Sequence, residues 1–178
     1  MFYHQYEKTG FQELVFSFRR CYMANALNIA KYLIGLGQKY NRKVDNLRLQ
    51  KLLYYAWGTY WYENQQELFY ENIEAWPLGP VVREVYVECY NETSPSSGLS
   101  ISDNDFNMAI SALENDKDFH KIISFLDRFD SSYMNYDTWD LVQSTHEERP
   151  WKETYVQGEK RVIDREILKD FFQNDAFD

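Results

Sequence analysis

Residues 47–58 read LRLQKLLYYAWG. Leu49, Leu52, Leu53, Ala56, Trp57 and, just beyond, Tyr60 recur at three- and four-residue steps, the spacing of one helical face. Asp45 stands where an N-cap belongs, and Val44 and Leu49 occupy the two positions of a hydrophobic staple. Tyr54, Tyr55, Trp61 and Tyr62 fill the remaining faces. A helix that is apolar nearly all round is packed on several sides. The stretch therefore predicts the central helix of a helical domain.

The same signals recur on either side. From Met23 onward, Ala26, Ile29, Ala30, Leu33 and Leu36 form a helical stripe, with Gly37 as its expected stop. Residues 65–79 read as a connection in which ELFYENIEAW admits short extended pieces. Pro80 suits the first turn of a helix, where its missing N–H costs nothing, and Val81, Val82, Val85, Tyr86 and Cys89 would share that helix's stripe. Asn91–Gly98 is a polar loop. Ser102 with Asp105 resembles a capping box, stapled by Ile101 and Phe106. Phe119, Ile122, Ile123, Leu126 and Phe129 mark another helix. Asp137 and Asp164 cap two more, with the pairs Tyr136–Leu141 and Ile163–Leu168 as staples. Together these predict a mostly α fold: a single compact multi-helix domain over residues 23–178, with at most short extended segments. Residues 1–22 stand apart as an N-terminal arm without an assigned role.

The bulk numbers narrow the function. The chain has 178 residues, enough to bury a sizeable core. Aromatics make up 18%, with 15 Tyr and 5 Trp, residue types that combine contact area with a polar tip and suit interfaces. The formal net charge of −9 repels phosphate, which argues against nucleic-acid binding and favours a basic protein partner. Cys21 and Cys89 are not spaced as a metal clip or redox pair, so free thiols in a cytoplasm are expected. No apolar run reaches membrane-spanning length, and no apolar core follows a basic start, so neither a membrane span nor a secretion signal is expected.

Three stretches could carry chemistry. In LRLQKLLYYAWG, Arg48, Gln50 and Lys51 are residue types that read bases, but no basic surroundings support a DNA-binding autoregulator. In LVQSTHEERPW (Leu141–Trp151), His146 with Glu147 or Glu148 could do acid–base work or serve a metal-assisted hydrolase. Position 150 is Pro, so the two-histidine zinc-protease pattern is absent. The plainer reading is a helix C-terminus at His146 with Pro150 opening a new turn. Trp76 and Trp151, each close to a proline, read first as core residues and second as interface anchors.

Taken in order, LQKLLYYAWG, IEAWPLGPVVREVY (Ile73–Tyr86) and LVQSTHEERPW resemble the Panacea domain, the SocA-like antitoxin domain also met in phage-associated GepA-type proteins. The resemblance runs from about Met23 to about Phe172 and rests above all on Ala75-Trp76 followed by Gly79-Pro80-Val81-Val82. It implies a helical domain that neutralises a cognate protein toxin, encoded next to it, by direct contact, with no cofactor, no metal and no catalytic residue of its own. It maps the family motif onto Leu52, Leu53, Tyr54, Trp76, Gly79, Pro80, Val81, Tyr86, Thr145, His146, Pro150 and Trp151. Where many members carry an aromatic after the Trp76 position, this chain has Pro77 and Leu78. The exposed-aromatic budget is also compatible with a homodimer.

Overall fold

The computed structural model describes residues 24–90, 98–133 and 135–176. Among them run eight helices: α1 (Ala26–Lys39), α2 (Asn46–Asn64), α3 (Arg83–Tyr90), α4 (Asp103–Leu113), α5 (Phe119–Tyr133), α6 (Thr138–Glu147), α7 (Arg149–Thr154) and α8 (Arg165–Asn174). Three short strands, β1 (Glu74–Trp76), β2 (Gly79–Val81) and β3 (Arg161–Val162), form an antiparallel sheet in the order β2-β1-β3. The mostly α architecture matches the sequence reading. The N-terminal arm, Cys21 and most of the Asn91–Gly98 loop lie outside the described residues.

The caps explain where the helices start. Asp45 accepts from Arg48 N (2.8 Å), Ser102 from Asp105 N (3.1 Å), Asp137 from Trp139 N (2.8 Å) and Asp164 from Glu166 N (2.7 Å). All four were legible as caps. Two boundaries differ from expectation. The first helix begins at Ala26, because Asn25 is the residue whose side chain takes the free Leu27 and Asn28 amides. It also runs through Gly37 to Lys39. Its end is made by Asn41, which adopts a left-handed φ of 54°, while the Arg42 amide returns to the Gly37 carbonyl.

The third difference concerns the hairpin. Pro80 lies in β2, opposite Ala75, and not in a helix. Gly79 has φ 97°, a conformation that favours glycine, and it closes the two-residue turn Pro77-Leu78. β2 is an edge strand, where proline's missing N–H removes no ladder bond. The helix waits until Arg83.

α2 is the axis of the molecule. It touches α1, α3, α5, α6, α8 and β2. Leu49, Leu52, Leu53, Tyr54, Ala56, Trp57 and Tyr60 are all buried. Its tyrosines join a belt of rings along α5: Tyr55 stacks on Tyr133 (centroids 5.3 Å), Tyr133 on Phe129 (4.4 Å), Phe129 meets Phe125 (5.7 Å), and Phe125 meets Tyr60 (5.0 Å). Offset and edge-on ring pairs of this sort contribute beyond their buried area.

α8 closes the other side. Phe172 packs against Tyr54 (5.2 Å), and its ring fills the space beside Gly58 that a Cβ would occupy. Gly58→Ala is therefore expected to destabilise the fold by about 1–3 kcal/mol, the usual range for overpacking a filled core. Urea unfolding followed by circular dichroism measures it, and an unchanged midpoint would contradict this packing.

Candidate functional site

The three stretches singled out in the sequence meet at one corner, formed by the N-terminal half of α2, the β1–β2 hairpin, α3 and the α6–α7 junction. Its interior is polar. Lys51 is fully buried, and its Nζ donates to the Pro80 carbonyl at 2.9 Å. Gln50, also buried, accepts the Val82 amide at 2.9 Å and donates to Asn46 Oδ1 at 3.1 Å. Asn46 in turn donates to the Tyr86 carbonyl at 3.2 Å. Pro80 O and Val82 N lie on the side of β2 that no strand covers. Adjacent side chains of α2 thus supply the bonds that a neighbouring strand would otherwise make.

A second set of bonds ties in the α6–α7 junction. Glu148, between the two helices, accepts from Tyr54 Oη (2.6 Å) and Tyr55 Oη (2.8 Å). Thr145 is fully buried and donates to the Val142 carbonyl at 2.7 Å. A Cβ built on Gly79 would stand 2.5 Å from Thr145 Oγ1 and 2.6 Å from Lys51 Nζ. Only a glycine lets the hairpin come this close to the ammonium.

The electrostatics follow from burial. Desolvation pushes Lys51 down to about 7 from its ordinary 10.5, against the opposing pull of the Glu148 carboxylate. Burial raises Glu148 above the usual carboxylate range, and the two tyrosine hydroxyls and Lys51 counter part of that rise. Tyr54 and Tyr55 are driven up by burial and by the Glu148 charge. His146 is lowered, first by burial and then by Lys51, with the Pro77 carbonyl and Glu147 opposing. Its imidazole is therefore the neutral form near pH 7.

The outside of the corner is aromatic. His146 stacks on Trp151 (4.2 Å) and Trp151 on Tyr155 (4.5 Å). Trp151 Nε1 donates to the Trp76 carbonyl at 2.8 Å. Trp76 Nε1 donates to Glu74 at 2.7 Å, and Lys160 Nζ sits 3.8 Å above the Trp76 ring. From Trp76 a row of rings continues to Tyr86 (4.9 Å) and Tyr90 (5.7 Å). Tyr90 is 61% exposed, Val87 57% and Leu78, at the hairpin tip, 46%.

The motif residues divide accordingly. Leu52, Leu53, Tyr54, Gly79, Pro80, Val81, Thr145 and Pro150 are buried, whereas Trp76, Tyr86, His146 and Trp151 are half-buried. Both tryptophans are half-buried: Trp151 packs against the core and gives its N–H to the hairpin at Trp76 O, whereas Trp76 gives its N–H to Glu74 on its own strand. The three base-reading side chains are turned inward, with Arg48 donating to the Tyr136 carbonyl at 2.7 Å. His146, Glu147 and Glu148 do not converge. Glu147 is exposed and paired with Lys152 (2.9 Å), while Glu148 points to the tyrosines. No three His, Cys, Asp or Glu side chains gather as metal ligands among the described residues. A cleft of about 430 Å³ opens at the other end of α2, beside Trp61, Asp118 and Lys169. Glu67, on its rim, is already taken by Arg165 (2.8 Å) and Lys169 (3.2 Å).

The model of the SocA-like antitoxin, Panacea domain, matches residues 49–152, more than half of the chain and most of this corner, with Asn46, Tyr155 and Lys160 outside it. The chain belongs to the SocA-like antitoxin family. No curated protein and no solved structure matches it. The Panacea match begins within α2 and ends within α7, so it contains both anchors of the hairpin, Lys51 and Trp151, together with the ring row. Membership in an antitoxin family implies a protein partner such as a toxin. Among the described residues no helix is long and apolar enough to cross a membrane.

Sequence reasoning passed over Asn46, and it gave Gln50 and Lys51 a base-reading role and Glu148 an acid–base role in place of the structural ones found here. The signal was present: polar residues in a helix with aromatics on every face have to be buried, and so must find partners.

Burial of Lys51 has a pH signature. The unfolded chain keeps its lysine proton up to about the ordinary value, whereas the folded chain releases it near 7. Between these the unfolded state binds more protons, so stability rises with pH. From pH 7.5 to 9 the rise due to Lys51 is expected to be about 2 kcal/mol. Lys51→Met should remove that rise and so isolate it from Glu148, His146, Tyr54 and Tyr55, the titratable groups that face the ammonium. Chemical denaturation at the two pH values decides; equal slopes in both proteins would contradict the assignment.

Proposed function

We propose that this chain is the antitoxin of a toxin–antitoxin pair and that it silences its toxin, the product of an adjacent gene, by direct binding at the hairpin–α3 corner. The observation that carries the reading is the division of that corner into two layers. Its inner layer is a closed polar set that holds the hairpin. Its outer layer is the row Trp76–Tyr86–Tyr90, half-buried at Trp76 and Tyr86 and exposed at Tyr90, with the exposed Val87 and Leu78 beside it. Rings braced from behind and uncovered in front lose little entropy when they dock, which is what interface anchors need.

Under this reading Trp76, Tyr86, Trp151 and His146 serve the face, and Leu52, Leu53, Tyr54, Gly79, Pro80, Val81, Thr145 and Pro150 hold it in place. The chain's negative charge steers a basic partner toward it. No reaction of its own is assigned: the histidine and carboxylates that sequence alone could have joined into an acid–base set are spent on packing and on separate partners. The pair acts in the cytoplasm, where the buried Cys89 thiol stays reduced.

The test is co-expression with the tagged product of the neighbouring gene. Wild type should relieve the growth arrest caused by that product and co-purify with it. Val87→Asp and Tyr90→Ala, both at exposed positions, should keep the fold yet weaken retention at least about tenfold, near 1.4 kcal/mol or more per hot spot. Full retention by both variants would place the contact elsewhere.

A further inference from the structure

A buried ammonium is an expensive way to fill a helix position, since a methionine would occupy much the same space without the desolvation cost. Lys51 nonetheless lies wholly inside, and its hydrogen bond crosses from α2 to the backbone of the hairpin. The bond falls on Pro80, next to the glycine whose missing Cβ leaves room for the Nζ. On the same turn of α2, Gln50 holds Val82, and through Asn46 the hold reaches the carbonyl of Tyr86, a member of the exposed ring row. From the far side Trp151 holds the carbonyl of Trp76. The hairpin is thus suspended between α2 and α7 by side-chain bonds to its backbone, and Lys51 supplies the charged one.

We infer that Lys51 is a positioning residue: its ammonium sets the pose of the hairpin, and through it the pose of Trp76 and Leu78, without touching a partner. The inference takes the corner to be the partner-binding face proposed above. A charge-assisted bond is stronger and more directional than a neutral one. Its cost falls on global stability, while its benefit falls on the geometry of one turn. The two effects therefore separate, which a simple core-filling role would not allow. Removing the charge relaxes the hairpin but spares the helices.

The full chain carrying Lys51→Met tests this by amide hydrogen exchange and by capture of the tagged adjacent-gene product. The expected result is an unchanged helical signal and a thermal midpoint equal to or above wild type. Amides of residues 74–82 should exchange at least tenfold faster, while those of α2 stay as slow as before. Capture should fall at least tenfold. If Lys51→Met does not fold, wild type serves instead at pH 6.5 and 8.5, with intrinsic exchange rates corrected. As Lys51 loses its proton through about 7, hairpin protection should drop severalfold while global stability rises. Hairpin exchange within twofold of wild type in the variant, or hairpin and helices loosening in parallel in either experiment, overturns the positioning role. Wild type failing to capture the adjacent-gene product overturns the partner reading alone, because the exchange comparison still decides what Lys51 does to the hairpin.

Discussion

A helix buried on every side has no solvent face on which to put its polar residues. α2 carries Asn46, Arg48, Gln50 and Lys51 within two turns, all of them buried or nearly so. Unpaired, each would cost as much as the lost hydrogen bonds of a buried donor, and more for the two charges. Each finds a partner on the backbone of another segment: Asn46 on α3, Arg48 on the turn before α6, Gln50 on Val82 just past β2 and Lys51 on Pro80 within β2. That constraint assembles the molecule around α2. It also explains how a mostly helical protein comes to hold a tiny sheet: the outer edge of β2 is closed by side chains of α2.

The same arrangement accounts for the face. Polar bonds are directional, so a hairpin suspended by several of them has one pose, where purely apolar packing tolerates sliding. Trp76 and Trp151 then lie at a fixed distance across the hairpin carbonyl, and Tyr86 and Tyr90 continue the row on one side of α3. Lys160 sits on the Trp76 ring at one end of the row. Inside the corner Lys51 is bound to the Pro80 carbonyl and Glu148 to Tyr54 and Tyr55.

Local signals carried most of the helical architecture in advance. A cap depends on three or four neighbouring residues, so Asp45, Ser102, Asp137 and Asp164 could be read without knowing the fold. Pro80 could not, because first helical turns and edge strands tolerate it for the same reason, and tertiary pairing with Ala75 decides between them. Gly37 stayed helical because Asn41 could supply the left-handed residue four positions on. Trp76 and Trp151 were legible as important but not as half-buried, since the partner of each lies 75 residues away. Glu148 stood next to His146 and Glu147 and invited an acid–base reading. Its true partners, Tyr54 and Tyr55, are more than 90 residues upstream.

The central claim is that the hairpin–α3 corner receives a protein partner. Amide exchange of the chain alone and in complex with the co-purified product of the adjacent gene tests it most directly. The account predicts new protection concentrated in residues 74–90, with the cleft residues 65–68 and 116–118 unchanged. Protection at the cleft with none in the hairpin and α3, in a complex that forms stoichiometrically, would contradict it.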